Sequence, residues 1–263
     1  AFLLNAVFTI IEIIGGLYTN SLAILSDAIH DFGDCMSLGL AWILEKKSDR
    51  KRDDFYSYGY RRYSIMGALI TSSILVVGSA IIFYRAIPRL LQPEETDGLG
   101  MLWLALMGIA FNGFAAWKLH EGQSLNERTV YLHLLEDVLG WVGVLLGAIF
   151  IYWFEWYIID PILSIAIALF VLYNAFKNLS ASSTIFLQII PVNYDLQEIK
   201  SILLLPEEVK GVHDLHLWTM DGEYHILSAH IVIDQNQRAW QDLVTIKEKL
   251  KTALEEKGIA HAT

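Results

Sequence analysis

The chain has 263 residues, of which 54% are hydrophobic and 18% charged, with a mean hydropathy of +0.42 and a formal net charge of −10. Soluble domains run nearer about 45–50% apolar and about 25% charged, so this excess points to a membrane, while the acidic balance argues against nucleic acid as a partner. A single cysteine, Cys35, excludes an internal disulfide framework and a multi-cysteine zinc knuckle, and reads as a small packed residue.

The chain opens at Ala1, already in apolar sequence, and closes at Thr263 in mid-strand, which reads as a trimmed piece of a longer protein. The opening stretch lacks a basic n-region and a cleavage site, so it is no signal peptide. Six stretches approach the roughly 20 apolar residues that cross a bilayer. The first, 1–18, is the tail of a span and holds Asn5 and Glu12. The second is 21–44 and the third 63–86. The fourth is 98–118, with Asn112 inside it. The fifth, 129–154, carries His133, Glu136 and Asp137. The sixth, 157–178, opens at Asp160-Pro161, where proline suits a first helical turn. Polar groups such as Asn5, Glu12 and Asn112 are expected in interhelical hydrogen bonds.

Seven Lys and Arg residues lie between the second and third spans (Lys46, Lys47, Arg50, Lys51, Arg52, Arg61, Arg62), and none lies between the fifth and sixth. The positive-inside rule then places the second–third loop, and with six spans both termini, in the cytoplasm, as in a cell (inner) membrane protein. Trp42, Trp103, Trp117, Trp153 and Trp156 fall near span ends, as an interfacial belt would. After about residue 190 the pattern becomes amphipathic. Helical spacing covers 194–205, period-two alternation covers 211–220 and 225–234 around an Asp221-Gly222 turn, a second helix covers 238–256, and a last strand starts at Ile259. The reading is a membrane domain over 1–190 and a small α+β domain over 191–263, the latter with seven basic against twelve acidic residues.

Ionisable groups at bilayer depth cost about 2.5–3.5 kcal/mol each on insertion scales and persist where they pair, face a cavity or bind something. His30 and Asp34 are four apart, which puts both on one helix face. His133 and Asp137 repeat the spacing in the fifth span. Two such helices supply two imidazoles and two carboxylates, a tetrahedral set suited to Zn²⁺. Taken singly, either pair reads equally as an intrahelical ion pair or a hydrogen-bonded histidine. Asp27, three before His30, is expected to orient that ring or line a cavity. Asp31, about 100° round the helix, is expected to border water, and Glu136 likewise. The same residues leave two alternatives open: a metal-binding sensor or scaffold that moves nothing, and a membrane redox protein with His30 and His133 as haem ligands. No nucleotide-binding loop, G-x-S-x-G turn or H-E-x-x-H helix is present, so no enzyme is expected.

The stretches SLAILSDAIHDFGD, YSYGYRRYSIMGALI, HLLEDVLGWVGVL, DPILSIAIAL and VHDLHLWTMDGEYHILSAHIVI, in this order, resemble the cation diffusion facilitator family of divalent-metal transporters, over essentially the whole chain. The resemblance implies six membrane helices, a cytoplasmic ferredoxin-like domain, a homodimer, and export of Zn²⁺ or a related ion in exchange for protons. It implies a transport site of His30, Asp34, His133 and Asp137, and the His-Asp form of the first pair resembles the zinc-preferring branch. It also implies a possible structural Zn²⁺ in the cytoplasmic domain at His213, His230 and His261, although Ala262-Thr263 stand where a carboxylate often follows. By strand alternation His216 is expected on the face opposite His213, and His225 opposite His230. A further loop metal site of some members is not expected here, because Tyr56 and Tyr60 occupy the histidine positions and leave Asp53 and Asp54 as loop carboxylates. The fourth–fifth loop holds only His120, so it is not expected to capture metal.

Overall fold

The computed structural model describes residues 2–48, 50–119, 125–233 and 240–263. His120 lies outside the described residues, and so does the side chain of Trp42. Six long helices come first: α1 (Phe2–Thr19), α2 (Leu22–Ser48), α3 (Arg62–Leu91), α4 (Gly98–Leu119), α5 (Leu125–Phe154) and α6 (Ile159–Phe186). Among the described residues α3 to α6 are each long and apolar enough to cross a membrane. In α1 the corresponding apolar stretch is Asn5–Thr19, and α2 interrupts its apolar sequence with His30 and three aspartates. A bilayer needs no apolar face turned inward, so large side chains such as Trp103, Trp117, Trp153 and Trp156 remain exposed.

The chain forms two compact units: residues 1–40 with 70–178, and residues 41–69 with 179–263. In the first, α4 and α5 pack along their length, and Trp141 is buried against Gly108, where an added Cβ would lie 2.2 Å from the indole. Small residues permit this close approach, as is usual where lipid supplies no hydrophobic drive between helices. Phe8, Ile24, Met101 and Val144 complete the surrounding core.

The beginning of α2 is held from outside. Asp160, fully buried at the start of α6, accepts hydrogen bonds from Ser21 Oγ (2.6 Å), Leu22 N (2.9 Å) and Ala23 N (3.1 Å). A helix N-terminus leaves such N–H groups without intrahelical partners, and a carboxylate there satisfies them and complements the helix dipole. Arg89 of α3 closes the arrangement, 3.9 Å from Asp160 and donating to the Asn20 carbonyl at 2.8 Å.

In the second unit, α7 (Leu196–Leu203) is capped by Asp195, and β1 (Val209–Thr219), β2 (His225–Ile233), α8 (Trp240–Glu256) and β3 (Ile259–Ala262) follow. The sheet order is β1-β2-β3, antiparallel then parallel. Leu227, Ile246, Leu250 and Leu254 pack between sheet and helices. The Asp221-Gly222 turn forms as expected: Asp221 Oδ1 accepts from Glu223 N and Tyr224 N, and Gly222 takes a positive φ of 100°. Strand alternation fails between Val209 and Gly211 and again between His213 and His216. A β-bulge lies between His213 and His216, with Asp214 at φ 52°, so His213 pairs with His230 while His216 pairs with Ser228. Positions 228 and 230 share a face, and His216 therefore lies on the same face as His213 rather than the opposite one.

The segment 50–61 is ordered by its own side chains. Asp53 Oδ1 accepts from Phe55 N and Tyr56 N, and its Oδ2 accepts from the Tyr60 hydroxyl at 2.7 Å. The Tyr60 hydrogen bond lowers the Asp53 carboxyl below its usual range, and reciprocally raises the Tyr60 phenol to about 12. The Tyr56 and Tyr60 rings meet tilted at 35°, with centroids 4.2 Å apart.

Candidate metal centre

His30 and Asp34 lie one turn apart on α2, and His133 and Asp137 one turn apart on α5. The structure brings these four together. His133 Nε2 is 2.8 Å from Asp34 Oδ2 and 3.9 Å from Asp137 Oδ2. His30 Nε2 is 3.8 Å from Asp34 Oδ2 and 3.7 Å from Asp137 Oδ1. The two rings meet edge to face, with centroids 5.7 Å apart. One ligand atom each from His30, Asp34 and His133 lies within 4.8 Å of the others, the one such group of three potential ligands among the described residues.

These distances can be compared with what a cation needs. Zinc bonds of about 2.0–2.1 Å to nitrogen and oxygen give a tetrahedral edge of about 3.4 Å. The three longer contacts, 3.7–3.9 Å, need to close by a few tenths of an ångström, and the His133–Asp34 contact of 2.8 Å must open. Rotamer adjustments cover both. A haem between the two histidines would need a slot as wide as the macrocycle, and both carboxylates occupy that space instead.

A cavity of about 310 Å³ reaches the group from one side, with Asp27, His30, Glu136, Asp137 and Phe170 in its walls. Asp27 is therefore cavity lining, buried beside α5 with its Oδ1 3.9 Å from where a Cβ on Gly140 would sit. Glu136 also lines this cavity, as expected. Asp31 departs from expectation: it is buried, at 4% exposure, and does not border open water. The reason is its helix face. Asp31 stands one turn before Cys35, and α1 covers that face, with Asn5 Nδ2 3.5 Å and Thr9 Oγ1 3.6 Å from Cys35 Sγ. Cys35 is thus the packed residue expected, and Asn5 makes its interhelical bond.

Glu12 of α1 is fully buried and meets the carboxyl of Asp31 on α2, the interhelical partner within its reach. The Asn112 amide nitrogen is unpartnered. Two contributions were not anticipated from the sequence. Asp160 fixes the start of α2, two turns before His30, and Gly108 sets the approach of α4 to α5 beside Trp141. The Asp160-Pro161 pair signalled a helix start, but nothing in the spacing said whose N–H groups the carboxylate would meet.

In the sheet, His213 and His230 are directly paired across β1 and β2. His261 pairs with Ile226, four residues along β2 from His230 and hence about 13 Å away along the strand. No group of three potential ligands forms there among the described residues.

A helical membrane protein that gathers two imidazoles and two carboxylates at the meeting of two helices has the makings of a cation-handling membrane protein. Residues 1–187 match the family described as the cation efflux transmembrane domain, and residues 191–260 match the cation efflux protein cytoplasmic domain. The chain belongs to the cation efflux family and is accordingly a transporter, not an enzyme. It is 36% identical to the Bacillus subtilis "Cadmium, cobalt and zinc/H(+)-K(+) antiporter" across the whole of this chain and 86% of that protein. It is 35% identical to the Escherichia coli "Zinc transporter ZitB" over 89% of this chain and 75% of that protein. The "Metal cation efflux system protein CzcD" of Cupriavidus metallidurans is 33% identical over all of this chain and 83% of its own length.

Proposed function

We propose that this protein is a secondary transporter that exports Zn²⁺, or a related divalent cation, from the cytoplasm in exchange for protons. The observation that carries the reading is the set of four His–Asp contacts of 2.8–3.9 Å by which His30 and His133 each meet both Asp34 and Asp137. The printed names of its relatives, which include zinc, cadmium, cobalt and protons, support the cargo and the counter-ion.

The chemistry follows from the donor set. Imidazole must be neutral and carboxylate ionised to bind a metal, so protons and metal compete for the same atoms. An ordinary histidine titrates near pH 6.5, within reach of both faces of a membrane. Deprotonation on the cytoplasmic side loads the ion, and protonation on the far side releases it. Asp27 and Glu136, in the wall of the cavity, draw a cation toward the four ligands. On this reading 1–190 is the membrane domain and 191–263 the cytoplasmic one, both termini are cytoplasmic, and the chain works as a homodimer in the cell membrane. His213 and His230 remain candidates for a structural metal in the cytoplasmic domain, with His261 only if a second chain supplies further ligands.

The test is zinc uptake into proteoliposomes under an imposed pH gradient. Wild type is expected to accumulate Zn²⁺ and to dissipate the gradient as it does so. Asp34→Ala and Asp137→Ala are each expected to abolish both. Wild-type rates in both variants would remove these residues from the path, and zinc flux that leaves the gradient untouched would remove proton exchange.

A further inference from the structure

The second compact unit contains a cavity of about 370 Å³ that the transport reading does not use. One wall is the segment between α2 and α3, contributing Arg50, Lys51, Arg52 and Ser57. Arg61 comes from the same segment, and the other wall holds Tyr224 and His261. Arg61 is already committed: it pairs with Asp221 at 3.0 Å and lies over the Tyr224 ring at 4.4 Å. Its position is thereby fixed, and so is that of Tyr58, whose ring meets both His261 and Trp218 edge-on. Arg50, Lys51 and Arg52 have no carboxylate within 4.0 Å among the described residues, and the described lining contains no acid.

That concentration of cations, of which Arg61 pairs with Asp221 and Arg50 acts on Asp53 from beyond 4.0 Å, stands out in a chain of net charge −10. The positive-inside rule accounts for basic residues in this loop, but it requires only charge beside the membrane. It does not require guanidinium groups, hydroxyls and an imidazole to converge on one cavity built from two distant parts of the chain. Such a donor set is what a phosphate-bearing anion needs: Arg forks match phosphate oxygens bidentately, and Ser and Tyr hydroxyls and an imidazole N–H complete its shell.

We propose that this cavity binds a phosphate-bearing anion, drawn either from the headgroup of an anionic lipid or from a soluble phosphate compound. Juxtamembrane clusters of this size are a known basis for anionic-lipid recognition. The bound anion would tie the Arg50–Arg52 segment to β3 through His261, and so join the α2–α3 connection to the sheet.

The experiment uses the full chain in detergent, free of metal, with two probes: inorganic pyrophosphate by calorimetry, and short-chain phosphatidylglycerol against phosphatidylcholine by native mass spectrometry. Saturable one-to-one binding of at least one anionic probe is expected. Replacing Arg50, Lys51 and Arg52 together by Gln should weaken it at least about ten-fold, and His261→Leu about three-fold, given the strength of charged and neutral hydrogen bonds. The triple change Lys247→Gln, Lys249→Gln and Lys251→Gln on α8, of equal charge, should leave binding unchanged. Thermal melts establish that each variant is folded. Binding of phosphatidylglycerol alone identifies the lipid source, and binding of pyrophosphate alone the soluble one. Failure of both probes to saturate, or equal losses in the two triple variants, overturns the proposal in favour of diffuse surface charge. Zinc transport is a separate readout, so neither result bears on the site of His30 and Asp34.

Discussion

Replacing Gly108 by alanine tests whether the α4–α5 contact positions the metal ligands. The added Cβ would lie 2.2, 2.4 and 2.6 Å from three atoms of the Trp141 indole, and ordinary contact begins at 3.4 Å. The two helices must therefore separate, or the ring must move, by about 1.2 Å. The ring has little freedom, since it is buried at 1% exposure and meets Phe8 edge-on at 5.8 Å. Trp141 is one turn beyond Asp137 and two beyond His133 on the same face of α5. A shift of that size carried along the helix would lengthen the 3.7 Å contact of His30 with Asp137 to nearly 5 Å, against a tetrahedral edge of about 3.4 Å. Overpacking of this kind costs roughly 1–3 kcal/mol. If the site absorbs about half, zinc affinity falls by about two- to ten-fold. Zinc titration calorimetry and thermal melts of purified protein read the two parts separately. Gly113→Ala on the same helix is the control, because nothing lies within 4 Å of its Cβ. A Gly108→Ala variant with the control's melting temperature and affinity would refute the packing argument. A lowered melting temperature with unchanged affinity would refute the coupling to the site.

Three other outcomes follow from the same geometry. His30→Asp replaces a nitrogen by a hard oxygen and should relax zinc preference toward Mn²⁺ or Cd²⁺; unchanged competition profiles in a transport assay would count against direct coordination by His30. Asp160→Ala strands the Ser21 hydroxyl and two N–H groups of α2 and leaves Arg89 without its nearest buried carboxylate, so stability should fall by roughly 1–3 kcal/mol in a detergent melt, with Asp160→Asn intermediate. Asp53→Ala removes the acceptor that holds the Tyr60 phenol at about 12, and ¹³C-tyrosine spectra should show one titration midpoint fall to near the ordinary value of about 10. The sign follows from the raised folded value: this contribution is complete below the unfolded midpoint and is lost as the pH rises through the folded one.

The helices and the four central residues were legible because their signals are local. Apolar runs of bilayer length declare a span without reference to any partner, and a four-residue interval declares a shared face. The duplication of His-x-x-x-Asp in α2 and α5 then carries the cross-helix inference. It needs no distance information, because two isolated ionisable pairs in lipid are each costly and together can share one cation. What the interval could not supply is the environment of the other three faces. Asp31 and Asp27 lie at similar angles from His30, yet α1 covers the first and the cavity beside α5 borders the second. Both are buried on one stripe near Glu12, and what separates them is that the cavity reaches Asp27 while α1 packs Asn5 and Thr9 onto Cys35 beside Asp31.

The sheet illustrates the same limit with a different cause. Period-two alternation holds only while the ladder is regular, and a single extra residue reverses every face beyond it. Between His213 and His216 the reversal rests on Asp214, an aspartate at φ 52°, a conformation that Asp and Asn adopt more readily than most residues. The Asp214 carboxylate then accepts from His216 at 2.9 Å, which explains why the bulge sits there. One face of the strand therefore presents His213 and His216 beside His230, while His261, on the far edge of the sheet, faces Tyr58 and the basic segment. The three histidines that a linear comparison groups together are thus divided by the strand order β1-β2-β3. His213 and His230 face each other directly across β1 and β2. His261 lines the cavity formed with the basic segment, beside Tyr58.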